Sequence, residues 1–138
     1  MDKVGEFLTR IRNAGLAKHE KIDVPSSNMR LGIAKILQET GYIRSFKVAR
    51  DSRQGIMRVY LKYNEKGGHA IQTVERVSRP GRRVYVNSTS IPTIRSGFGV
   101  TILSTNKGIL SGEQAKTQNL GGELLCKLSG NHAAGGLP

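Results

Sequence analysis

The chain has 138 residues, with 22 Lys and Arg against 10 Asp and Glu, a formal net charge of +12 and a pI near 10.4. A charge excess of this size raises self-repulsion, which a folded domain tolerates when its partner is a polyanion. No stretch approaches the ~20 apolar residues that span a bilayer, and no basic amphipathic helix stands out, so nucleic acid is expected rather than a membrane. The single cysteine, Cys126, excludes an internal disulfide and a multi-cysteine zinc site. Within Leu124-Leu125-Cys126 it reads as a buried free thiol. The opening Met1-Asp2-Lys3-Val4-Gly5-Glu6 lacks the pattern of a secretory signal, so a reducing, cytoplasmic compartment is expected.

The elements alternate at first and then turn to short strands. Val4, Phe7, Leu8 and Ile11 recur at helical spacing, and Asn13-Ala14-Gly15 reads as the close of that helix. Lys21 to Val24 is expected as a strand. Pro25-Ser26-Ser27 offers a cap for a second helix with Met29, Ile33, Ile36 and Leu37 on one face and Gly41 as its stop. Strands at Tyr42 to Arg50 and Ile56 to Tyr63 follow, joined by Asp51-Ser52-Arg53-Gln54-Gly55 as a hairpin loop. Gly67-Gly68 is the expected boundary. Beyond it, Ile71 to Val77 and Arg83 to Val86 read as strands around the turn Ser78-Arg79-Pro80-Gly81. Ile91 to Arg95 suggests one helical turn. Val100 to Leu103 is a strand after Gly97-Phe98-Gly99, Ser111 caps a short helix reaching about Gln118, and Glu123 to Leu128 is the last strand. The expected fold is α+β: an N-terminal α-β-α-β-β part packed on a mostly β C-terminal part with a short helix. Its expected divisions are residues 1–66, residues 67–128, and a flexible tail over 129–138.

The charge is spread over both parts but patterned in the second. Residues 1–65 carry 13 basic and 7 acidic side chains, and residues 66–138 carry 9 and 3. Between Glu75 and Glu113 there is no carboxylate, while Arg76, Arg79, Arg82, Arg83, Arg95 and Lys107 all fall there. Strands and turns carrying only positive charge suit phosphate contact. Three segments within or beside this window carry candidate chemistry. Ser104-Thr105-Asn106-Lys107-Gly108 follows an apolar strand, so its short polar side chains sit at a strand end and can approach base edges or riboses, with Lys107 on a phosphate; an ordinary polar turn is the alternative. Arg79-Pro80-Gly81-Arg82-Arg83-Val84-Tyr85 joins a rigid turn, three guanidiniums and a ring that either stacks on an unpaired base or packs in the core. Leu120-Gly121-Gly122-Glu123 is a tight turn in which glycine permits positive φ and close approach of another backbone. Glu123 either accepts from RNA or bonds to its own chain.

Enzymatic signals are poor. His19, His69 and His132 are far apart and lie in loop-like or tail segments. Gly97-Phe98-Gly99 precedes a strand rather than a helix and is no dinucleotide fingerprint. There is no Walker sequence, no metal-ligand spacing and no carboxylate pair in the basic window. No catalytic residue, metal or cofactor is expected.

Taken in order, Phe7-Leu8-Thr9-Arg10-Ile11-Arg12-Asn13-Ala14, Pro25-Ser26-Ser27, Glu39-Thr40-Gly41-Tyr42-Ile43, Arg76-Val77-Ser78-Arg79-Pro80-Gly81, Gly97-Phe98-Gly99, Ser104-Thr105-Asn106-Lys107-Gly108 and Leu120-Gly121-Gly122-Glu123-Leu124-Leu125-Cys126 resemble the bacterial-type small-subunit ribosomal protein S-eight family. The resemblance implies a structural constituent of the small ribosomal subunit. It implies early, direct binding to an internal-loop-bearing helix in the central domain of small-subunit ribosomal RNA, among neighbouring small-subunit ribosomal proteins. Family members also commonly repress their own operon messenger, so an off-ribosome RNA-binding repressor is the alternative. The implied compartment is the cytoplasmic ribosome, or an organellar one.

Carried over residue by residue, the resemblance places RNA contacts on Ser104, Thr105, Asn106, Gly121, Gly122, Glu123 and Tyr85, and charge adds Lys107, Arg79, Arg82 and Arg83 as phosphate contacts. The contacts of the first part fall on Thr9, Arg12, Asn13, Ser27, Asn28 and Arg30. Asn106 stands where the family usually has serine, Gly112-Glu113-Gln114-Ala115-Lys116 alters the usual basic helix, and Lys127-Leu128 with its Gly/Ala-rich extension replaces the usual ending.

Overall fold

The computed structural model describes residues 2–50, 55–92 and 99–130. Helix α1 (Lys3–Leu16) starts at Asp2, whose carboxylate accepts from the Gly5 amide at 3.0 Å, satisfying one of the donors a helix start leaves open. Val4, Phe7, Leu8, Ile11 and Ala14 form its buried stripe. The helix runs through Asn13-Ala14-Gly15 rather than closing there. Gly15 is a packing glycine: a Cβ on it would lie 2.2–2.4 Å from the His69 ring. The left-handed residue that ends the segment is Lys18, at φ 62°.

Strand β1 (Lys21–Pro25) leads to α2 (Asn28–Glu39), capped by Ser27, which accepts from the Arg30 amide at 3.1 Å. Gly41, at φ 86°, turns the chain into β2 (Ile43–Ala49), and β3 (Ile56–Leu61) returns antiparallel to it. Residues 51–54 of the expected hairpin loop lie outside the described residues. The three strands lie in the order β1-β3-β2. Met57, Val59 and Leu61 face the helices at strand period while Ile56, Arg58 and Tyr60 face away.

The second half builds β4 (Ile71–Arg76), β5 (Tyr85–Val86), β6 (Gly99–Thr105), β7 (Gly108–Ser111), α3 (Gly112–Thr117) and β8 (Gly122–Gly130). Its sheet runs β4-β8-β6-β7, with β5 also paired to β8. Strand β7, unforeseen in the sequence, makes Ser104–Gly108 the turn of a β6–β7 hairpin. A one-turn helix sits at Ser88–Ser90, started by the Asn87 side chain, just before the expected turn at Ile91 to Arg95. Pro92 disfavours helix at the residue before it, and Ile91 is accordingly extended; residues 93–95, like Gly97 and Phe98, lie outside the described residues. Helix α3 has the expected cap as a full box, with Ser111 and Gln114 each binding the other's backbone amide. Strand β8 continues through Ser129 and Gly130, which pair with β4 and β6, two residues into the expected tail. Residues 131–138 lie outside the described residues.

One apolar cluster serves both halves. Phe7, Ile11, Ile33, Leu37, Met57 and Val59 from the first part share it with Ile71, Ile102, Leu125, Cys126 and Leu128 from the second. Cys126 is fully buried, and that burial pushes its thiol up to about 12, so it packs as an apolar side chain. A smaller cluster of Ile91, Leu103, Ala115 and Leu124 seats α3 on its sheet.

Candidate nucleic-acid interface

Strand pairing gathers the residues that the sequence scatters. Tyr85 of β5 lies opposite Glu123 of β8, and Glu123 lies opposite Ser104 of β6. Directly opposed residues in antiparallel strands share a face, so Tyr85, Glu123 and Ser104 form one row across three strands. At one end of that row the Tyr85 ring is 69% exposed, too open for a core aromatic. At the other, the β6–β7 turn presents Asn106 and Lys107 to solvent.

The turn is held by one of its own hydroxyls. Thr105 Oγ1 donates to the Gly108 carbonyl at 2.9 Å and accepts from the Lys107 amide at 3.1 Å, and Gly108 takes φ 105°, a region glycine enters freely. Thr105 is thus spent on shape. Ser104 and Asn106 have no side-chain bond within the described residues, and their polar groups remain for a ligand.

Gly121 and Gly122 are there for closeness. Neither takes positive φ. A Cβ on Gly121 would meet the Val86 carbonyl at 2.5 Å, and one on Gly122 the Ser104 carbonyl at 2.2 Å. The backbone that approaches them is the protein's own, and their absent side chains bring β5, β8 and β6 together at the row.

Glu123 is committed to its own chain. Its Oε2 accepts from the Ser78 hydroxyl and from Arg83 Nη1 at 3.0 Å, and Ser78 Oγ in turn accepts from the Val84 amide at 3.2 Å. Burial alone would raise the Glu123 carboxyl, but the bonds from Ser78 and Arg83 outweigh it and hold it below its ordinary value. This cluster fixes the chain just before Tyr85. Ser78, fully buried, was not singled out in the sequence; a lone serine between Val77 and Arg79 carries no signal of the role.

Of the basic window, Arg76 and Arg83 are also engaged internally, Arg76 with Asp2 and the Leu125 carbonyl. Arg95 lies outside the described residues. Arg79 and Arg82 flank a two-residue Pro80-Gly81 turn closed by reciprocal backbone bonds of 2.9–3.0 Å, with their side chains exposed. A groove of about 450 Å³, lined by Asp2, Glu6, Thr9, Arg10, Arg76 and Arg79, joins this turn to α1. Arg10, exposed on α1, is a cation there that the sequence did not single out as a contact.

The first part divides likewise. Thr9, Asn13 and Asn28 are exposed, and Arg12 is half-buried with Nε sealed from solvent. Ser27 is the α2 cap. Arg30 is 7% exposed, donates to the Pro25 carbonyl at 3.0 Å and lies 3.9 Å from Glu6, so its position is internal.

Among the described residues no three His, Cys, Asp or Glu side chains gather as a metal site, and no helix is long and apolar enough to cross a membrane. The arrangement offers hydrogen-bonding groups, an aromatic face and fixed cations to a polyanion.

The protein-family model described as Ribosomal protein S8 matches residues 2–128. The chain is 68% identical over 128 residues to the Small ribosomal subunit protein uS8 of Bdellovibrio bacteriovorus, covering 93% of this chain and 99% of that protein. It is 50% identical to the protein of the same name from Geotalea daltonii over 91% of this chain and 95% of that one, and 48% identical to that of Geobacter sulfurreducens over the same shares. A match over nearly the whole length, to a family model and to full-length relatives alike, makes this chain a member of the Ribosomal protein S8 family.

Proposed function

We propose that the chain is a structural, non-catalytic component of the small ribosomal subunit that binds small-subunit ribosomal RNA through the Tyr85–Glu123–Ser104 row, at an internal-loop-bearing helix of the central domain, and supports early assembly. That row is the observation that carries the proposal. An A-form duplex hides its base edges in a deep major groove, so a protein that reads sequence needs an internal loop with unstacked bases. Ser104 and Asn106 offer short groups for base edges and riboses, Tyr85 a ring for stacking, and Arg79, Arg82 and Lys107 charges for phosphates. Glu123 acts through Ser78 and Arg83 as a positioning residue. Thr9, Asn13 and Asn28 add backbone contacts from the first part.

Neighbouring small-subunit ribosomal proteins share the particle. A messenger that mimics the same loop would present the same groups, so repression of its own operon is compatible with this interface. Sedimentation of the tagged chain with small subunits, in salt high enough to strip electrostatic binders, tests the ribosomal role. Retention in the particle fraction is expected; release into the soluble fraction with the binding of messenger intact would favour the repressor.

A further inference from the structure

Among the described residues the outer face of the β1-β3-β2 sheet has no covering layer, since α1 and α2 pack on its other side. Strand register sets its side chains in rows: Lys21, Tyr60 and Ser45, then Asp23, Arg58 and Lys47, then Pro25, Ile56 and Ala49. The pairing of β2 with β3 slips between Ile43 and Ser45, leaving Arg44 as the extra residue of a bulge. Ile43 points into the core, while Arg44 reaches across Tyr60, its guanidinium carbon 5.7 Å from the ring centre. Lys47 Nζ lies 5.9 Å from the same centre. The one carboxylate in these rows, Asp23, is held by Arg58 at 2.8 and 3.0 Å. Lys21 lies close enough to Asp23 to help hold that carboxyl below its ordinary value, whereas Arg44 and Lys47 are exposed cations with no carboxylate ion pair among the described residues.

We propose that this sheet face is a second RNA surface, which takes the phosphate backbone of an RNA segment other than the one read by the Tyr85–Glu123–Ser104 row. The inference rests on the RNA-binding role proposed above. Charge selects the occupant: two free cations, Arg44 and Lys47, on an open sheet in a protein of net charge +12 complement a polyanion. The ring of Tyr60 already holds Arg44 and Lys47 by cation–π attraction, so it orders the cations instead of stacking on a base. With little on the face to read a base edge, the contact is independent of sequence.

The full chain is saturated with an unlabelled internal-loop hairpin from small-subunit ribosomal RNA, and a labelled, fully paired RNA duplex is titrated onto that complex at low salt. The duplex is expected to join. Arg44→Glu with Lys47→Glu is expected to weaken that second event at least about tenfold and to reduce its salt slope by about two, each phosphate contact contributing roughly 0.9. Hairpin binding should stay within about twofold, and an unchanged melting temperature shows that the variant folds. Tyr60→Leu, which leaves both cations but frees them, should weaken duplex capture by a smaller factor. Failure of the wild-type complex to take a duplex, or equal capture by the folded double variant, overturns the inference while leaving the first site standing. A chain that binds no hairpin refutes the role on which both rest. Capture of a poly-glutamate peptide in place of the duplex overturns it in favour of an acidic protein partner.

Discussion

The carboxylate of Asp2 caps α1 and simultaneously receives the guanidinium of Arg76 from β4, with Nε to Oδ2 at 3.0 Å and Nη2 to Oδ1 at 3.1 Å. One side chain thus starts the first helix and ties it to the second sheet. Asp2→Ala removes a cap, a loss of about 1 kcal/mol, and strips a mostly buried guanidinium of its ion partner. A total loss of about 2 kcal/mol is expected, in keeping with a part-buried charge-assisted contact. Urea denaturation checks it, and an unchanged midpoint would contradict it. Arg76→Lys should retain little of this contact, because an ammonium cannot reproduce the fork.

Stability should fall with acidification in two stages. His69 is buried, and desolvation, with nearby Lys18, holds its ring below the ordinary 6.5 against the opposing bond to the Ile71 carbonyl. The unfolded chain therefore takes up this proton first as pH falls through about 6.5, and stability present above that pH drains until the folded ring also titrates. The second stage belongs to Asp2 and Glu123, whose carboxyls are held below 3.8 and 4.5; their contribution is full above those values and is lost below them. Melting temperatures from pH 8 to 3 should show both stages. His69→Phe should remove the first alone, and a first stage that survives that substitution would contradict the assignment.

Two glycines should resist the usual benefit of alanine. Gly15→Ala would ordinarily stabilise a helix by up to about 1 kcal/mol, yet here the new methyl meets the His69 ring. Gly122→Ala drives a methyl into the Ser104 carbonyl, which is backbone and cannot rotate away. Overpacking of this kind costs about 1–3 kcal/mol. Gly122→Ala should also weaken RNA binding by splaying Ser104 from Tyr85, whereas Gly15→Ala should lower stability with RNA affinity preserved under folding conditions. Chemical denaturation and hairpin titration on both variants separate the two effects.

Tyr85 should matter for binding and little for folding. At 69% exposure it contributes little to the core, while stacking on a base is worth about 1–3 kcal/mol. Tyr85→Ala is expected to lose roughly that much hairpin affinity with a melting temperature close to wild type, and Tyr85→Phe to keep most of it. A Tyr85→Ala protein with full affinity would remove the ring from the interface.

The three α-helices, the caps of α2 and α3 at Ser27 and Ser111, and the alternation of Met57, Val59 and Leu61 were legible because local spacing and short-range capping determine them. Strand β7 was not: Gly108–Ser111 has four residues, and only pairing with β6 makes them a strand. Gly15 looked like a helix stop because a sequence cannot show that His69, fifty-four residues later, requires the missing side chain. The site shows the same limit. Ser104, Glu123 and Tyr85 were each visible as candidates, but their common row follows from β8 lying between β5 and β6. The internal duties of Glu123, Thr105 and Arg30 depend on neighbours that the chain brings in from elsewhere or on a turn geometry that residue type alone does not fix.

The most direct test of the interface compares an internal-loop hairpin from the central domain with a fully paired control across a salt series, for wild type and for Ser104→Ala with Asn106→Ala. These two side chains make no bond that the fold needs among the described residues, so the variant should fold as wild type. Each lost hydrogen bond is worth about 0.5–1.5 kcal/mol. Preferential binding of the hairpin by wild type, falling about tenfold in the variant while the paired control and the salt slope stay unchanged, is the expected result. Equal binding of both RNAs by wild type, or undiminished preference in the variant, would contradict base reading at this row and leave the basic surface as the whole of the interaction.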